Sequence, residues 1–462
     1  MSSLKSRKKQ KLPRKAKNNS EEAVKDRISS LPDSILHHIL RFLPTHCSVH
    51  TCVLSKRWKY IWTGVSRLDF NESQMIHSDI YKDIDFINFV EQTIDFHDGS
   101  DLEKFRLKLT LTRDEAHAYE RADEADQIKE LISKVLTRKI QKLNIYLIET
   151  FIEFPPSLYA CTSLIRMKLH GLFSVLKLPA SVCFPNLEIM QLRSLRISCE
   201  EENQRVSFKC PVLDEVMLID CEWEEIKAMD IFAPKLVRMI IDDIDNEFST
   251  DCELNFYAES LTDVDVFSCL TYELSFHNIL SLSNANITIG NGRNDNSGRF
   301  SKLLQGFRTV KELILCYPTI RKLSSVNELL ALSNLKDLVI PKSKFLNGEL
   351  LTELFCSLPR IESLAFINGL DRYSVQGYDW SLEAISQSFL LHLKLIHIDD
   401  FSGNETELSL VKFLLKNAKS IKEISLRSSK ELSADPKKQM EIAKQLLILP
   451  RSSTDCVVDF TY

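Results

Sequence analysis

One apolar pattern recurs along most of the chain and restricts the folds that the chain can adopt. The pattern is apolar-x-x-apolar-x-apolar, and from Leu164 to Leu261 its copies begin 23, 26, 23 and 25 residues apart. A single unit of this length cannot bury its apolar side, whereas stacked units share a continuous core. The copies begin at Leu102, Ile140, Leu164, Leu187, Leu213, Leu236, Leu261, Val310, Leu335, Ile361, Leu393 and Ile421, with a weak copy at Asn284. The repeat therefore predicts a stack of similar units.

The period near 25 residues and the apolar signature resemble leucine-rich repeats. The resemblance implies an α/β fold over residues 66–385, in which each unit supplies one short strand of a parallel sheet and a return segment. Asparagine is not regular at the usual ladder position and the repeat lengths vary, so we predict an irregular solenoid, as in plant intracellular versions. Pro185, Pro211 and Pro234 stand shortly before three copies. We expect each proline just ahead of its strand, where no ladder donor is lost.

Side chains alternate across a strand, so the residues that flank the buried positions should line the concave face of the solenoid. This rule selects Lys168, His170, Gln191, Arg193, Asp242, Asp265 and Phe267. We take them as candidate contacts for a bound target protein, although an ordinary solvated surface also accounts for any single one. A large exposed aromatic such as Phe267 would suit a binding hot spot.

Residues 26–62 contain two apolar series and form a unit too small for a large core of its own. The first series has the spacing of one helix face and ends at Pro44, whose ring cannot continue the hydrogen-bond ladder. Its members are Leu31, Ile35, Ile39 and Leu43, with Leu36 and Leu40 beside them. The second consists of Val49, Cys52, Val53, Leu54, Trp58, Ile61 and Trp62. Such a unit usually needs a partner.

The signature Leu-Pro-Asp-x-Ile-Leu from Leu31, followed by Val-Leu-Ser-Lys-Arg-Trp from Val53, resembles the F-box. The resemblance implies a three-helix F-box over residues 24–65 that docks on a Skp-type adaptor and, through it, on a cullin scaffold. The residues expected to contact the adaptor, or to form the F-box core that presents those contacts, are Leu31, Pro32, Ile35, Ile39, Leu43, Val53, Leu54 and Trp58. The sequence leaves open which of them point inward.

The C-terminal stretch resembles an FBD domain, which we assign to residues 386–462. Its signature includes the run from Phe389 to Gly403, the later segments 410–418 and 421–426, and the ending 450–460. The pattern predicts a strand, a helix over 406–418, a strand over 421–426, a helix over 436–447 and a last strand near 456–460. Such a unit would cap the open end of the solenoid. Past residue 24, nearly the whole chain resembles the plant F-box/FBD/LRR-repeat family.

The chain begins with a basic tail, residues 1–23. Its first seventeen residues carry eight lysines and arginines and no acid, whereas the rest carries 51 basic against 64 acidic residues. The tail is compatible with a nuclear localisation signal, a phosphate-binding arm or a disordered solubilising segment. The acidic body argues against nucleic acid as the partner, because duplex phosphates require a broad basic surface. We expect a location in the nucleus, the cytoplasm or both, with the tail favouring the nucleus.

The sequence contains no pattern that indicates catalysis or a cofactor. Gly-x-x-x-x-Gly-Lys-Ser/Thr, Gly-x-Ser-x-Gly and His-Glu-x-x-His are all absent. The 12 cysteines stand without a Cys-x-x-Cys pair, which argues against zinc sites and disulfide scaffolds and for a reducing, intracellular compartment. Asp242 and Asp243 are interpreted as loop carboxylates that follow a strand. We expect no enzyme activity, no catalytic residue, no metal, no cofactor and no membrane span.

These features predict a substrate-recognition subunit of an SCF-type (Skp–cullin–F-box) ubiquitin ligase. The F-box would dock on the adaptor, and the repeats would hold an unknown target protein near the ubiquitin-charged enzyme. Proximity alone would raise the reaction rate, without a catalytic side chain in this chain. The alternative is a nuclear leucine-rich-repeat scaffold, or a nucleic-acid-associated binding protein, without a role in ubiquitination.

Overall fold

The computed structural model describes residues 28, 30–76, 85–109, 121–148, 151–200, 204–245, 250–290, 296–325, 332, 334–341, 346–370, 380 and 385–461. The basic tail predicted for residues 1–23 lies outside the described residues. Within them, no helix has the length and apolar character that crossing a membrane requires.

Helices cluster at the two ends of the described chain, and the middle is built from strands. The helices are α1 (Asp33–Leu40), α2 (Thr45–His50), α3 (Trp58–Ile61), α4 (Glu72–Ile76), α5 (Phe86–Phe96), α6 (Arg121–Leu136), α7 (Ser157–Ala160), α8 (Ser297–Gln305), α9 (Tyr317–Ser325), α10 (Gly348–Ser357), α11 (Gln387–His392), α12 (Glu405–Asn417), α13 (Lys430–Ser433) and α14 (Pro436–Ile448). The first three form the N-terminal unit, as the F-box resemblance implies.

The strands belong to two parallel sheets. They are β1 (Arg67–Asn71), β2 (Lys104–Leu109), β3 (Lys142–Leu147), β4 (Arg166–Leu178), β5 (Ser181–Cys183), β6 (Ile189–Cys199), β7 (Arg205–Lys209), β8 (Glu215–Ile219), β9 (Glu222–Trp223), β10 (Ala228–Phe232), β11 (Arg238–Asp243), β12 (Glu253–Tyr257), β13 (Asp263–Ser268), β14 (Glu273–His277), β15 (Asn284–Ile289), β16 (Glu312–Leu315), β17 (Asp337–Pro341), β18 (Ser363–Ile367), β19 (Leu395–Phe401), β20 (Glu423–Ser428) and β21 (Val457–Thr461).

Sixteen of the described strands form the large sheet. Its order is β1-β2-β3-β4-β6-β8-β11-β13-β15-β16-β17-β18-β19-β20-β21, with β9 paired to β6. Each copy of the apolar repeat contributes one strand, and its side chains alternate between a buried and a half-buried face, as in β8. The predicted irregular solenoid with a parallel sheet is therefore confirmed.

Two copies of the repeat differ from the sequence interpretation. Ala285 pairs with Val264 and Ile287 with Val266, so the copy on β15 is Leu282-Ala285-Ile287 rather than the one beginning at Asn284. Leu282 is buried, as this assignment requires. A further copy, Val65-Leu68-Phe70, leads into β1 directly after the F-box helices and was missed.

The second sheet was not predicted. It has the order β14-β12-β10-β7-β5 and consists of the return segments of the central repeats. The three prolines stand ahead of strands of the large sheet, as expected, and the second sheet supplies the strands that precede them. Pro185, Pro211 and Pro234 follow strands β5, β7 and β10 of the second sheet, and each stands in the turn that leads to the next strand of the large sheet. Each proline therefore lies between a strand of the second sheet and the following strand of the large sheet.

The FBD segment continues the large sheet instead of forming a separate unit. Strand β18 pairs with β19, β19 with β20 and β20 with β21, all in parallel. The side chain of Glu407 on α12 accepts a hydrogen bond from the Leu370 N–H at 3.2 Å and another from the Ser402 N–H at 2.9 Å. Phe355 on α10 stacks on Phe389 on α11 with ring centroids 4.5 Å apart. The same core therefore extends across residue 385.

Candidate functional site: the F-box and the open face of the sheet

The F-box has a small core that is distinct from the long core of the solenoid. Its buried members are Leu36, Leu40, Trp58, Ile61, Trp62 and Val65, with Leu31, Val49 and Cys52 packed partly against them. The helix spacing of the first apolar series explains why Leu36 and Leu40 share one face. With so few buried side chains, the unit depends on contacts beyond its own core.

The two halves of the F-box signature are joined by Arg57. Its Nε donates a hydrogen bond to Asp33 Oδ1 at 3.1 Å, and its guanidinium also contacts the carbonyl oxygen of Leu31. The next residue, Trp58, is buried in the F-box core. The Leu-Pro-Asp start and the Lys-Arg-Trp end of the signature are therefore in direct contact.

Most of the candidate adaptor contacts are exposed. Val53 is 80% and Leu54 is 65% exposed, and both stand in the connection between α2 and α3. Trp58 instead lies in the core, and Leu31 is half-buried against it. The exposed set, which we call the F-box apolar surface, consists of Pro32, Ile35, Ile39, Phe42, Leu43, Val53 and Leu54.

Phe42, 69% exposed, was missed by the sequence interpretation. The signal was present, because Ile35, Ile39 and Phe42 follow the spacing of one helix face. An exposed apolar surface of this size on so small a unit indicates an interaction site.

Polar contacts attach the F-box to the first strands of the large sheet. The Asp69 N–H donates to Thr45 Oγ1 at 2.6 Å, which ties α2 to β1. The carboxylate of Glu103 contacts Arg41 of the F-box, Arg67 of β1 and Lys142 of β3. Hydrogen bonding by Arg67, followed by the other cations, lowers the pKa of Glu103 to about 2.

The side chains of the large sheet are buried on one face and half-buried on the other, which we call the open face. Four of the seven candidate target contacts line one cavity on this open face. Lys168 and His170 stand on β4, and Gln191 and Arg193 on β6, each pair in register with the other. The cavity has a volume of about 370 Å³. Its lining is Arg106, Lys108, Asn144, Ile145, Tyr146, Lys168, Leu169, His170, Gln191, Leu192, Arg193, Met217 and Ile219.

The other three candidates lie on β11 and β13 and do not line this cavity. Asp242 pairs in register with Phe267, and Asp265 stands two residues before Phe267 on the same strand. All three are half-buried on the open face, as the alternation rule predicted. Asp243 is different, because it belongs to β11 and points into the core, where it is 2% exposed. Asp242 also belongs to β11, so interpreting the two residues as loop carboxylates that follow a strand was wrong for both.

The missed residues of the cavity follow from the same alternation rule applied to the two preceding strands. Arg106 and Lys108 flank the buried Leu107 on β2, and Asn144 and Tyr146 flank the buried Ile145 on β3. The Lys108 ammonium lies 5.4 Å from the centre of the Tyr146 ring, a cation–π contact. The signal in the sequence was therefore as strong for these residues as for those selected.

His170 occupies the centre of the basic lining. Its ring meets that of Tyr146 edge-on, with centroids 4.1 Å apart. Burial, and then the charge of Arg193, lower the pKa of His170 below its ordinary value. Its Nδ1 is buried and has no hydrogen-bond partner among the described residues. The ring is therefore neutral at pH 7 and leaves one polar atom available.

The described residues contain no group of three or more His, Cys, Asp or Glu side chains that could hold a metal ion. All 12 cysteines are free thiols. Burial raises the pKa of the Cys210 and Cys252 thiols to about 12, so both remain protonated. These cysteines pack as small apolar residues.

Two domain families match the chain. The F-box domain matches residues 28–70, and the FBD domain matches residues 385–426. The chain contains an F-box domain and an FBD domain. A putative FBD-associated F-box protein of Arabidopsis thaliana is 28% identical over 94% of this chain and the whole of that relative.

Two further Arabidopsis thaliana relatives carry the repeat in their names. F-box/LRR-repeat protein 13 is 27% identical over 94% of this chain and 96% of its own length. An F-box/FBD/LRR-repeat protein is 24% identical over 94% of this chain and 95% of its own length. The similarity therefore spans the F-box, the solenoid and the FBD segment together.

Proposed function

We propose that this F-box protein is the substrate-recognition subunit of an SCF-type ubiquitin ligase. The F-box apolar surface supports this proposal most directly. The F-box core is small, yet the seven residues of the F-box apolar surface remain exposed. Covering them with a Skp-type adaptor would remove apolar area from water, and the adaptor would connect the chain to a cullin scaffold.

The solenoid would hold the target protein on the open face of the large sheet. Residues in register on neighbouring strands form rows that run across that face, as Asn144, Lys168 and Gln191 do. Such a surface suits an extended partner. The ligase would then act by raising the effective concentration of the target lysine near the charged enzyme. No side chain of this chain needs to take part in the chemistry.

Affinity purification from cells tests the proposal. We would compare the wild-type chain with the Val53→Asp/Leu54→Asp variant and identify co-purified proteins by mass spectrometry. Both side chains are exposed, so the variant should fold normally while losing the Skp-type adaptor and the cullin together. An adaptor that co-purifies equally with both forms would contradict the proposal. Salt-sensitive RNA or DNA in place of the adaptor would support the scaffold alternative instead.

A further inference from the structure

The open face of the large sheet carries a surplus of positive charge near its N-terminal end. The cavity lining holds four permanent cations and no carboxylate. Asp69 partly neutralises Arg106, with an Nη1–Oδ1 distance of 3.3 Å. Among the described residues, neither Lys168 nor Arg193 forms an ion pair with a carboxylate. The charge of Arg193 does act on the nearby Asp220, whose pKa it lowers, against the larger effect of burial. This end of the face therefore carries more positive than negative charge.

The character of the face changes over the next strands. Met217 and Ile219 on β8 line one side of the cavity, and Ile240 on β11 pairs with Met217. These three half-buried side chains form an apolar band. Beyond the band, Asp242 and Asp265 carry negative charge, and no described cation pairs with either of them. Asp220, which follows β8, places a third carboxyl group beside Asp242, because its N–H donates a hydrogen bond to the Asp242 carbonyl oxygen at 2.7 Å. We call Asp220, Asp242 and Asp265 the acidic strip.

The spacing of the two charged regions fits an extended polypeptide. Four strand steps separate Lys168 on β4 from Asp265 on β13, which is about 19 Å at about 4.8 Å per step. An extended chain covers this distance in about six residues at about 3.3 Å per residue. A nucleic-acid backbone is negative throughout and would be repelled by the acidic strip. A polypeptide can carry both signs of charge.

We propose that the open face binds an extended segment of a target polypeptide whose acidic side chains, carboxylate or phosphorylated, occupy the cavity. Basic side chains about six residues away lie on the acidic strip, and apolar side chains between them cover the band of Met217, Ile219 and Ile240. This inference rests on the proposed function, because it specifies the chemistry of the target that a substrate receptor would hold.

Fluorescence anisotropy with a labelled peptide tests this inference on the full-length chain. The probe has four glutamates at one end, four leucine and glycine residues in the middle and four lysines at the other end. The control peptide has the same composition with the charges alternating. We expect the block peptide to bind and the alternating peptide to bind about tenfold more weakly. Equal affinity for the two peptides would overturn the inference.

Two pairs of substitutions locate the binding site. Lys168→Glu/Arg193→Glu and, separately, Asp242→Lys/Asp265→Lys should each weaken block-peptide binding about tenfold or more. Lys235→Glu/Arg360→Glu changes the same charges at exposed positions outside the cavity and should have no effect. Unchanged binding by either test variant, or tighter binding of a single-stranded DNA oligomer than of the block peptide, would overturn the inference.

Two further measurements identify the preferred acidic group of the peptide and distinguish failure of this inference from failure of the proposed function. Replacing the four glutamates by phosphoserines shows whether phosphate or carboxylate is the preferred acid, according to which version binds more tightly. Binding of a Skp-type adaptor is measured on the same proteins. Normal adaptor binding without discrimination between the peptides would overturn this inference alone. Peptide discrimination without any adaptor binding would overturn the proposed function and leave the open face as a polypeptide-binding surface.

Discussion

Arg41, the C-cap residue of helix α1, forms an ion pair with Glu103, the residue that immediately precedes strand β2. The same carboxylate accepts hydrogen bonds from Arg67 Nε at 3.0 Å and from Lys142 Nζ at 3.1 Å. One side chain thus connects the F-box with three neighbouring strands of the solenoid. The adaptor surface and the open face are consequently held in a fixed relation by contacts that the folded chain already makes.

Replacing Glu103 by Gln should loosen this connection. The folded pKa of Glu103, about 2, lies below its ordinary value of 4.5, so its contribution to stability is present above pH 4.5 and is lost as the pH falls towards 2. Because the site is partly solvated, we expect a loss of about 1–2 kcal/mol at pH 7.

Urea denaturation at pH 7 and at pH 3 measures the effect of Glu103→Gln. The difference from the wild type should be smaller at the lower pH. Glu259→Gln, at an exposed turn position, is the matched control and should leave the midpoint unchanged. Equal midpoints for Glu103→Gln and the wild type at pH 7 would show that the F-box is attached by other contacts.

Replacing Asp243 by Asn should stabilise the protein at neutral pH. Burial raises the pKa of Asp243 to about 6, only partly offset by the hydroxyls of Ser268 and Tyr272. Neither carboxylate oxygen has a hydrogen-bond partner of good geometry among the described residues. A raised folded pKa favours folding most strongly below the ordinary value of 3.8, and this contribution is lost as the pH rises through about 6.

The expected gain of Asp243→Asn is about 2 kcal/mol above pH 7 and close to zero near pH 4. Thermal melts at both pH values measure it, with Asp242→Asn as the neighbouring control, half-buried on the open face. A variant that is less stable than the wild type at pH 7 would mean that the ionised carboxylate is itself held by favourable contacts.

Removing residues 386–462 should destabilise the remaining solenoid. The deletion takes away Phe389, which stacks on Phe355, and exposes the edge of β18 that pairs with β19. It also removes Glu407, the acceptor for the Leu370 N–H. We expect aggregation on size-exclusion chromatography or a lower melting temperature. A soluble truncation with an unchanged melting temperature would show that the FBD segment is an independent unit.

The strands of the large sheet could be predicted because each needs only a local pattern. Met190 and Leu192 lie two residues apart and both point into the core, which is the elementary signature of a strand. The capping signals near the C-terminus were equally local, since Asn404 and Glu407 form the capping box that begins α12. Helices predicted over 406–418 and 436–447 are accordingly found at Glu405–Asn417 and Pro436–Ile448.

The second sheet and the cavity depend on relations that no local pattern contains. Val206 and Phe208 on β7 alternate as a strand does, yet nothing near them indicates that Met229 and Ile231 will lie alongside. The copy of the repeat on β15 was misplaced by two residues, because Ala285 is too small to be recognised as a core position. The F-box was predicted from its signature, whereas the burial of Trp58 and the exposure of Val53 depend on how its helices pack.

The basic tail is proposed to direct the protein to the nucleus. Eight positive charges in the first seventeen residues, without an acid, suit the acidic groove of an importin. A fluorescent fusion that lacks residues 1–18 should lose nuclear enrichment and still bind the adaptor. If the two fusions distribute identically between nucleus and cytoplasm, the tail has another role.

Isothermal titration calorimetry of the purified full-length chain with a Skp-type adaptor tests whether the F-box apolar surface binds that adaptor. Leu54→Asp changes the F-box apolar surface, and Leu280→Asp makes the same substitution at a residue that is 78% exposed in the solenoid. Placing a carboxylate in an apolar interface should cost about 2–4 kcal/mol, or a factor of about 30 or more in Kd. We expect this loss of adaptor affinity for Leu54→Asp and an unchanged Kd for Leu280→Asp. Equal affinities of both variants and the wild type would contradict this expectation.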